Sequence, residues 1–272
     1  MKWRHGLSES LEYDNSDWNL SQLAVSLGKT DDAARYAARS QNFVKLFDPT
    51  VPWSYGPESS DVNKNWHGWF RPHEEDGSWS PWLGLTSDHG VQEATVYEQG
   101  WFVPYDVPRL MDLAGGKDLF IQKLTDFFER TPNVGVWNAY YNQPNEPVHL
   151  VPFLFNRAGA PWLTQKWVRI IDQAYQAGPD GLCGDEDVGQ MSAWFVLVAS
   201  GIHQACPGDP RYELFTPLFD KVTLHLDSRY TKGGTFTITA QNNSPENVYI
   251  QSATLNGKPL NRCWIDYKEI VA

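Results

Sequence analysis

The chain has 272 residues, 41% of them hydrophobic and 20% charged, a composition that fits a folded globular chain and excludes a largely disordered one. Its formal net charge of -11 argues against nucleic acid and anionic membrane surfaces as partners and leaves neutral sugars and cations open. No apolar run reaches the length of a membrane span, and the start Met1-Lys2-Trp3-Arg4-His5-Gly6 does not read as a signal peptide.

Residues from Leu7 to about Phe47 predict two helices. Leu11, Trp18, Leu23, Val25 and Leu27 supply the apolar positions of the first, with imperfect helical spacing, and Gly28 ends it. Thr30-Asp31-Asp32 starts the second, and Asp48-Pro49 closes it. Pro49 to about Gly90 reads as irregular but ordered, because Trp53, Tyr55, Trp66, Trp69, Phe70, Trp79 and Trp82 stand among Gly, Pro, Ser and Asp. Helices resume near Val107–Leu113, Lys117–Arg130, Val148–Arg157, Pro161–Tyr175 and Val188–Ser200, with Gly115-Gly116, Gly159 and Gly201 at C-cap positions. From about Lys221 the period changes to two. Val222, Leu224 and Leu226, then Phe236 and Ile238, then Val248 and Ile250 alternate with polar residues, and Thr231-Lys232-Gly233-Gly234 and Asn256-Gly257 mark turns. The chain is therefore expected to be mainly α with a β tail, dividing into a helical region over 1–214 and an antiparallel strand region over 215–272.

Aromatic content is high, with 13 Trp, 12 Tyr and 13 Phe. Flat rings fill cores, and they also stack on the apolar faces of sugars. Cys183, Cys206 and Cys263 are an odd number at no metal-ligand spacing, so they predict no zinc site, while one disulfide between two of them is compatible with the sequence. His67, His73, His89, His149 and His203 form no HExxH or close pair and are assigned no metal.

Three acidic loops carry the candidate chemistry. In Gln92-Glu93-Ala94-Thr95, Glu93 precedes Tyr97, Trp101 and Phe102, and a carboxyl desolvated by rings is suited to act as a general acid. Glu98 competes for that role, and an ordinary solvated loop position is the plain alternative for Glu93. In Pro144-Asn145-Glu146-Pro147 an amide oxygen stands beside a carboxylate. That pair suits a hard cation such as calcium, or a helix start with Pro147 in its first turn. In Gly184-Asp185-Glu186-Asp187-Val188-Gly189-Gln190, Asp185 and Asp187 stand two residues apart ahead of a helix, placed to activate water or to cap that helix. An EF-hand is excluded there by ligand spacing and the absent distal Glu. An acid, a base and a cation site together suit hydrolysis of a glycosidic bond.

At these motifs the sequence resembles glycoside hydrolase family 92, the calcium-dependent exo-acting α-mannosidases. Ser40-Gln41-Asn42-Phe43 with Phe47-Asp48-Pro49, Trp101-Phe102-Val103-Pro104-Tyr105-Asp106, Asn145-Glu146-Pro147, and Gly184-Asp185-Glu186-Asp187 with Gly189-Gln190 and Ser192-Ala193-Trp194 match family blocks in order. Phe219-Asp220-Lys221-Val222 and Asn242-Asn243-Ser244-Pro245 are similar to its tail strands. The resemblance implies that the helices are part of an (α/α)6 toroid. It implies that Glu93 is the general acid and that Asp185 and Asp187 are the carboxylates that activate water. It places Asn145 and Glu146 on a calcium-binding loop, with calcium as cofactor, and Tyr97, Trp101, Tyr140 and Tyr141 beside the substrate. The implied reaction is inverting hydrolysis of terminal α-mannosides in mannose-containing glycans, by a secreted or periplasmic protein.

The sequence departs from the family pattern at Ala94-Thr95, Tyr97, Tyr105 and Pro144, and Tyr140-Tyr141 stands where α-1,2-specific members tend to carry His-Glu. The family also implies an N-terminal β-sandwich lobe, supplied in cis or in trans. A second expectation from a different class is a non-catalytic carbohydrate-binding or interaction module that keeps the motifs.

Overall fold

The computed structural model describes residues 6–57 and 59–272. Chain contacts divide these into two compact units, one holding residues up to Asn133 together with Trp137–Val148, the other holding Val134–Val136 and His149–Ala272. Both combine helices with antiparallel strands.

The first unit opens with helices α1 (Gly6–Ser26) and α2 (Thr30–Arg39). Gly28 separates them at φ 68, a left-handed conformation that costs glycine little and lets Lys29 N donate to Ala24 O at 2.8 Å. The buried face of α1 is not the apolar one expected. Leu11 is buried, but so are Asp14, Asp17 and Ser21, while Tyr13, Leu23, Val25 and Leu27 are more than half exposed. Asp17 is held by Arg39 of α2 at 2.8 Å.

Strands β1 (Phe47–Ser54) and β2 (Val62–Phe70) form an antiparallel pair where the sequence reads as irregular. Two register shifts, between Asp48 and Pro52 and between Pro52 and Trp53, break the period-two pattern that would have revealed it. Prolines are tolerated because the sheet has only two strands and both are edges. Trp53 and Trp69 project from this pair into a ring cluster with Tyr97, Trp101 and Phe127. Trp69 and Trp101 have centroids 4.7 Å apart, and Tyr97 and Phe127 are also 4.7 Å apart. A Cβ on Gly100 would lie 2.6 Å from the Trp69 ring, so that packing admits only glycine there. Helices α3 (Val96–Gln99), α4 (Val107–Leu113) and α5 (Lys117–Glu129) follow, the last two at the positions predicted. Lys123 of α5 is fully buried over the Trp53 ring at 4.5 Å and donates to His67 O at 2.8 Å; burial pulls its pKa down to about 8.

In the second unit the helix expected over Val148–Arg157 is broken into a 3-10 turn at Val151–Phe153 and the short α6 (Leu154–Arg157), because Pro152 lacks an amide donor. Helices α7 (Pro161–Ile171) and α8 (Gln190–Ala199) are as expected to within a few residues. A three-stranded sheet of β3 (Ile202–His203), β4 (Arg211–Leu214) and β9 (Trp264–Asp266) joins residues on both sides of position 214. The hairpin of β5 (Lys221–His225) and β6 (Thr235–Thr239) matches the alternating pattern, and β7 (Thr254–Leu255) and β8 (Lys258–Pro259) flank Asn256-Gly257, both at positive φ. Val248 and Ile250 form no strand. Their backbone is held instead by side chains, Thr216 Oγ1 donating to Val248 O and Ile250 N donating to Gln165 Oε1, each at 2.6 Å. Ile202, Ile265 and Ile270 center a core completed by Leu214, Leu224, Phe236 and Ile238. Arg157 joins Asp209 at 2.9 Å and the buried Glu213. Cys183, Cys206 and Cys263 are free thiols. No helix among the described residues is long and apolar enough to cross a membrane.

His203 of β3 is buried, its ring stacked on Phe153 at 4.4 Å, and burial drives its pKa down to about 3. The unfolded chain, with an ordinary histidine near 6.5, binds the extra proton first, so stability is full above about pH 6.5 and falls as pH drops toward 3. Between pH 7 and pH 5 this one group is expected to cost about 2 kcal/mol. Urea unfolding at the two pH values should show a smaller difference in His203→Gln than in the parent; an equal difference would contradict the assignment.

Candidate active site

A cavity of about 630 Å³ in the first unit is lined by Asp88, Gln92, Glu93, Thr95, Glu98 and Trp137, among others. The turn that carries Glu93 is unusual. Glu93 has φ 50, one of five non-glycine residues at positive φ among those described. A left-handed conformation costs an ordinary residue on the order of 1–2 kcal/mol, so the surroundings must impose it. They do so through Asn145, whose Nδ2 donates to Glu93 O at 3.0 Å, and Thr95, whose Oγ1 donates to Ala139 O at 3.2 Å. The Glu93 side chain is exposed, on the rim of the cavity.

Thr95 and Glu98 make a capping box on α3: Thr95 N donates to Glu98 Oε2 at 2.7 Å, and Glu98 N donates to Thr95 Oγ1 at 3.2 Å. Glu98 Oε1 accepts from Asn142 Nδ2, and the Asn145 side chain also hydrogen-bonds this carboxyl. Glu98 is 1% exposed, and burial, outweighing those hydrogen bonds, raises its pKa to about 7. The desolvation that the sequence assigns to Glu93 therefore acts on Glu98.

The loops that hold Glu93 and Asn145 thus meet in one site. Glu146 is half-buried and begins the 3-10 turn Glu146–Val148. Asn142 is completely buried, and its Oδ1 has no hydrogen-bond partner among the described residues. A buried amide oxygen beside Glu98 and Asn145 is a donor set suited to a hard cation. The described residues contain no group of three or more His, Cys, Asp or Glu gathered as a metal site, so any such set here depends on amide oxygens.

The aromatic assignments need correction. Tyr97, Trp101 and Tyr141 are completely buried. Tyr97 donates its hydroxyl to Asp126 Oδ2 at 2.9 Å, Trp101 packs on Phe120 at 5.5 Å, and Tyr141 stacks on Phe128 at 4.7 Å. Rings so fully buried cannot stack on a sugar, so these three are core residues of the first unit. Tyr140 is half-buried beside Tyr55 at 6.2 Å. The ring that does reach the cavity is Trp137, 58% exposed. Sequence reasoning missed it; the only signal was a Trp among the turn-forming residues ahead of Asn145-Glu146.

Asp185 and Asp187 belong to the second unit. Both are exposed, and neither caps α8. Its N-cap is Gly189, in the left-handed conformation, and Glu186 takes the capping work: Oε1 accepts from Ser192 N at 3.1 Å and Oε2 from Ser192 Oγ. Neither Asp185 nor Asp187 has a hydrogen-bonded side-chain partner among the described residues. Asp187 and Val188 sit at φ 48 and 57, a strained pair for which the β-branched Val188 is poorly suited. The loop therefore presents two unengaged carboxylates. Behind it His149 is buried, its carbonyl accepting from Trp194 Nε1 at 3.0 Å and its Nδ1 3.2 Å from Gln190 Nε2.

The chain belongs to the glycosyl hydrolase family 92 catalytic domain family, whose model matches residues 2–272. It is similar to a family GH92 alpha-mannosidase from Bacteroides thetaiotaomicron, with 29% identity and a TM-score of 0.85 over 98% of this chain and 33% of that one. It is also similar to a GH92 inverting mannosidase from the same species, with 30% identity and a TM-score of 0.80 over 97% of this chain and 36% of that one. A protein of Arthroderma benhamiae described as an uncharacterized secreted glycosidase is 30% identical over 96% of this chain and 34% of its own length. The chain thus spans about a third of the length of these relatives.

Proposed function

We propose that this chain is the part of a secreted, inverting α-mannosidase that carries its acid, its base and its cation loop, and that it acts on terminal mannose of glycans. The observation that carries the reading is the cavity lined by the strained Glu93 turn, Glu98 and the exposed Trp137 ring, with Asn142 and Asn145 hydrogen-bonded to Glu98 and Glu93 behind it. Glu93 donates a proton to the departing glycosidic oxygen. Asp185 and Asp187 supply the base that takes a proton from the attacking water, one of them accepting it and the other orienting. Trp137 offers an apolar face to a sugar ring. In this reading the helices are part of an (α/α)6 toroid, an N-terminal β-sandwich lobe is supplied in cis or in trans, and the exposed apolar side of α1 fits a covering by further helices of the toroid.

Calcium is the proposed cofactor, held by Glu146 and by the amide oxygen of Asn145, whose nitrogen is engaged with Glu93 O. The unpartnered buried Oδ1 of Asn142 supports an oxygen-rich set. When bound, the cation supplies charge to hold and polarise sugar hydroxyls. The second reading, a binding module without turnover, rests on the small share of the relatives' length that the chain spans. Mannose release from α-mannosides separates the two. Release is expected with calcium present, lost in chelator and restored on readdition. Full release in chelator, with no calcium uptake by calorimetry, would reject the cation site. Sugar binding without release would favour the module.

A further inference from the structure

We propose that Glu98 is the positioning residue for Glu93: its carboxylate ties the 93–95 turn to the 138–145 loop and so keeps Glu93 in its left-handed backbone conformation at the cavity rim. The inference rests on reading Glu93 as the acid, but the geometry it invokes stands apart from turnover.

The argument begins from the cost of the turn. Glu93 has neither the missing Cβ of glycine nor the compact amide of asparagine that makes φ 50 easy. Something must hold it. The chain on its C-terminal side enters α3, which has four residues and is too short to persist on local hydrogen bonds. A capping box on such a helix does little unless it is itself anchored, and Glu98 is the anchor. One carboxylate oxygen accepts from Thr95 N at 2.7 Å, which fixes the residue two positions after Glu93. The other accepts from Asn142 Nδ2, across a separation of 44 residues. Thr95 Oγ1 and Asn145 Nδ2 make two further ties between the same segments, to Ala139 O and Glu93 O. Glu98 is the side chain that touches both ends of this lattice, and it is 1% exposed, so its loss is not made good by water.

The chemistry of the side chain is also specific. Thr95 N and Asn142 Nδ2 are both donors, so the group between them must accept on two oxygens. A carboxylate does so. A glutamine of the same shape accepts on one oxygen and turns an amide toward the other donor, and an alanine accepts on neither. The effects should therefore be graded, Glu98→Gln losing part of these ties and Glu98→Ala all of them, the Asn145 contact included.

The experiment is amide hydrogen exchange on the intact chain, with no substrate present, comparing the parent with E98Q, E98A and E93Q. Each lost buried tie is expected to speed exchange about tenfold at residues 92–95 and 138–145. Exchange in α5 should stay at its parent rate, and E93Q should leave both segments unchanged. Where mannose release is measurable, E98Q should lower kcat with little change in KM, because substrate still binds while the acid is misplaced. Unchanged exchange at 92–95 in E98A would overturn the proposal. Acceleration spread evenly through α5 would also overturn it, by showing a general packing role. Absence of mannose release in the parent would count against the proposed function and leave the exchange result to decide this inference alone.

Discussion

Glu93→Gln is expected to reduce hydrolysis of a mannose–mannose bond by roughly 10²–10⁴-fold, the usual contribution of a positioned proton donor. The loss should be much smaller with an aryl α-mannoside whose phenol leaves readily, because such a leaving group needs no proton. The structure makes this substrate dependence the deciding readout. Glu93 and Glu98 line the same cavity, and Glu98 is the buried carboxyl with the raised pKa. If E93Q loses both substrates equally, Glu93 is not the proton donor; if it loses neither while E98Q shows the leaving-group dependence, the acid is Glu98. A buried carboxyl already accepting from Thr95 N and Asn142 Nδ2 is poorly placed to donate, and this favours Glu93.

A loss of the same order, roughly 10²–10⁴-fold, is expected for Asp187→Asn or Asp185→Asn, with the unfolding midpoint unchanged. Stability should hold because neither carboxylate caps α8; Glu186 and Ser192 do that. The contrasting variant, Glu186→Ala, which removes both bonds to Ser192, should lower stability by roughly 0.5–2 kcal/mol while sparing the base. If one Asp variant keeps activity, that residue orients and the other accepts the proton. If the double variant turns over normally, the base assignment fails. Proton NMR of the first product adds an independent check, since single displacement at an α-mannoside must release the β anomer before mutarotation.

What the sequence determined by itself was of two kinds. Helix limits set by local chemistry were legible: Gly28 and the Gly115-Gly116 pair as stops, Lys117 as a start, and the period-two run over Lys221–His225 and Thr235–Thr239. These depend on backbone conformation and neighbouring side chains, which the sequence carries directly. The family was also legible, because long motifs in fixed order identify ancestry without reference to contacts.

Tertiary structure decided the rest. The β1–β2 pair was hidden because its pairing shifts register twice around Pro52. The rings of Tyr97, Trp101 and Tyr141 looked like sugar platforms, yet they are enclosed, while Trp137 is the ring left open. Composition counts aromatic residues but cannot say which face remains uncovered, since that follows from what packs behind each ring. The same holds for the acids. Glu93 and Glu98 are five residues apart and chemically alike, but a four-residue helix with a capping box turns one inward to Asn142 and leaves the other at the rim. Burial and hydrogen-bond partners are properties of the assembled fold, and they separate the roles of side chains that a sequence can only name.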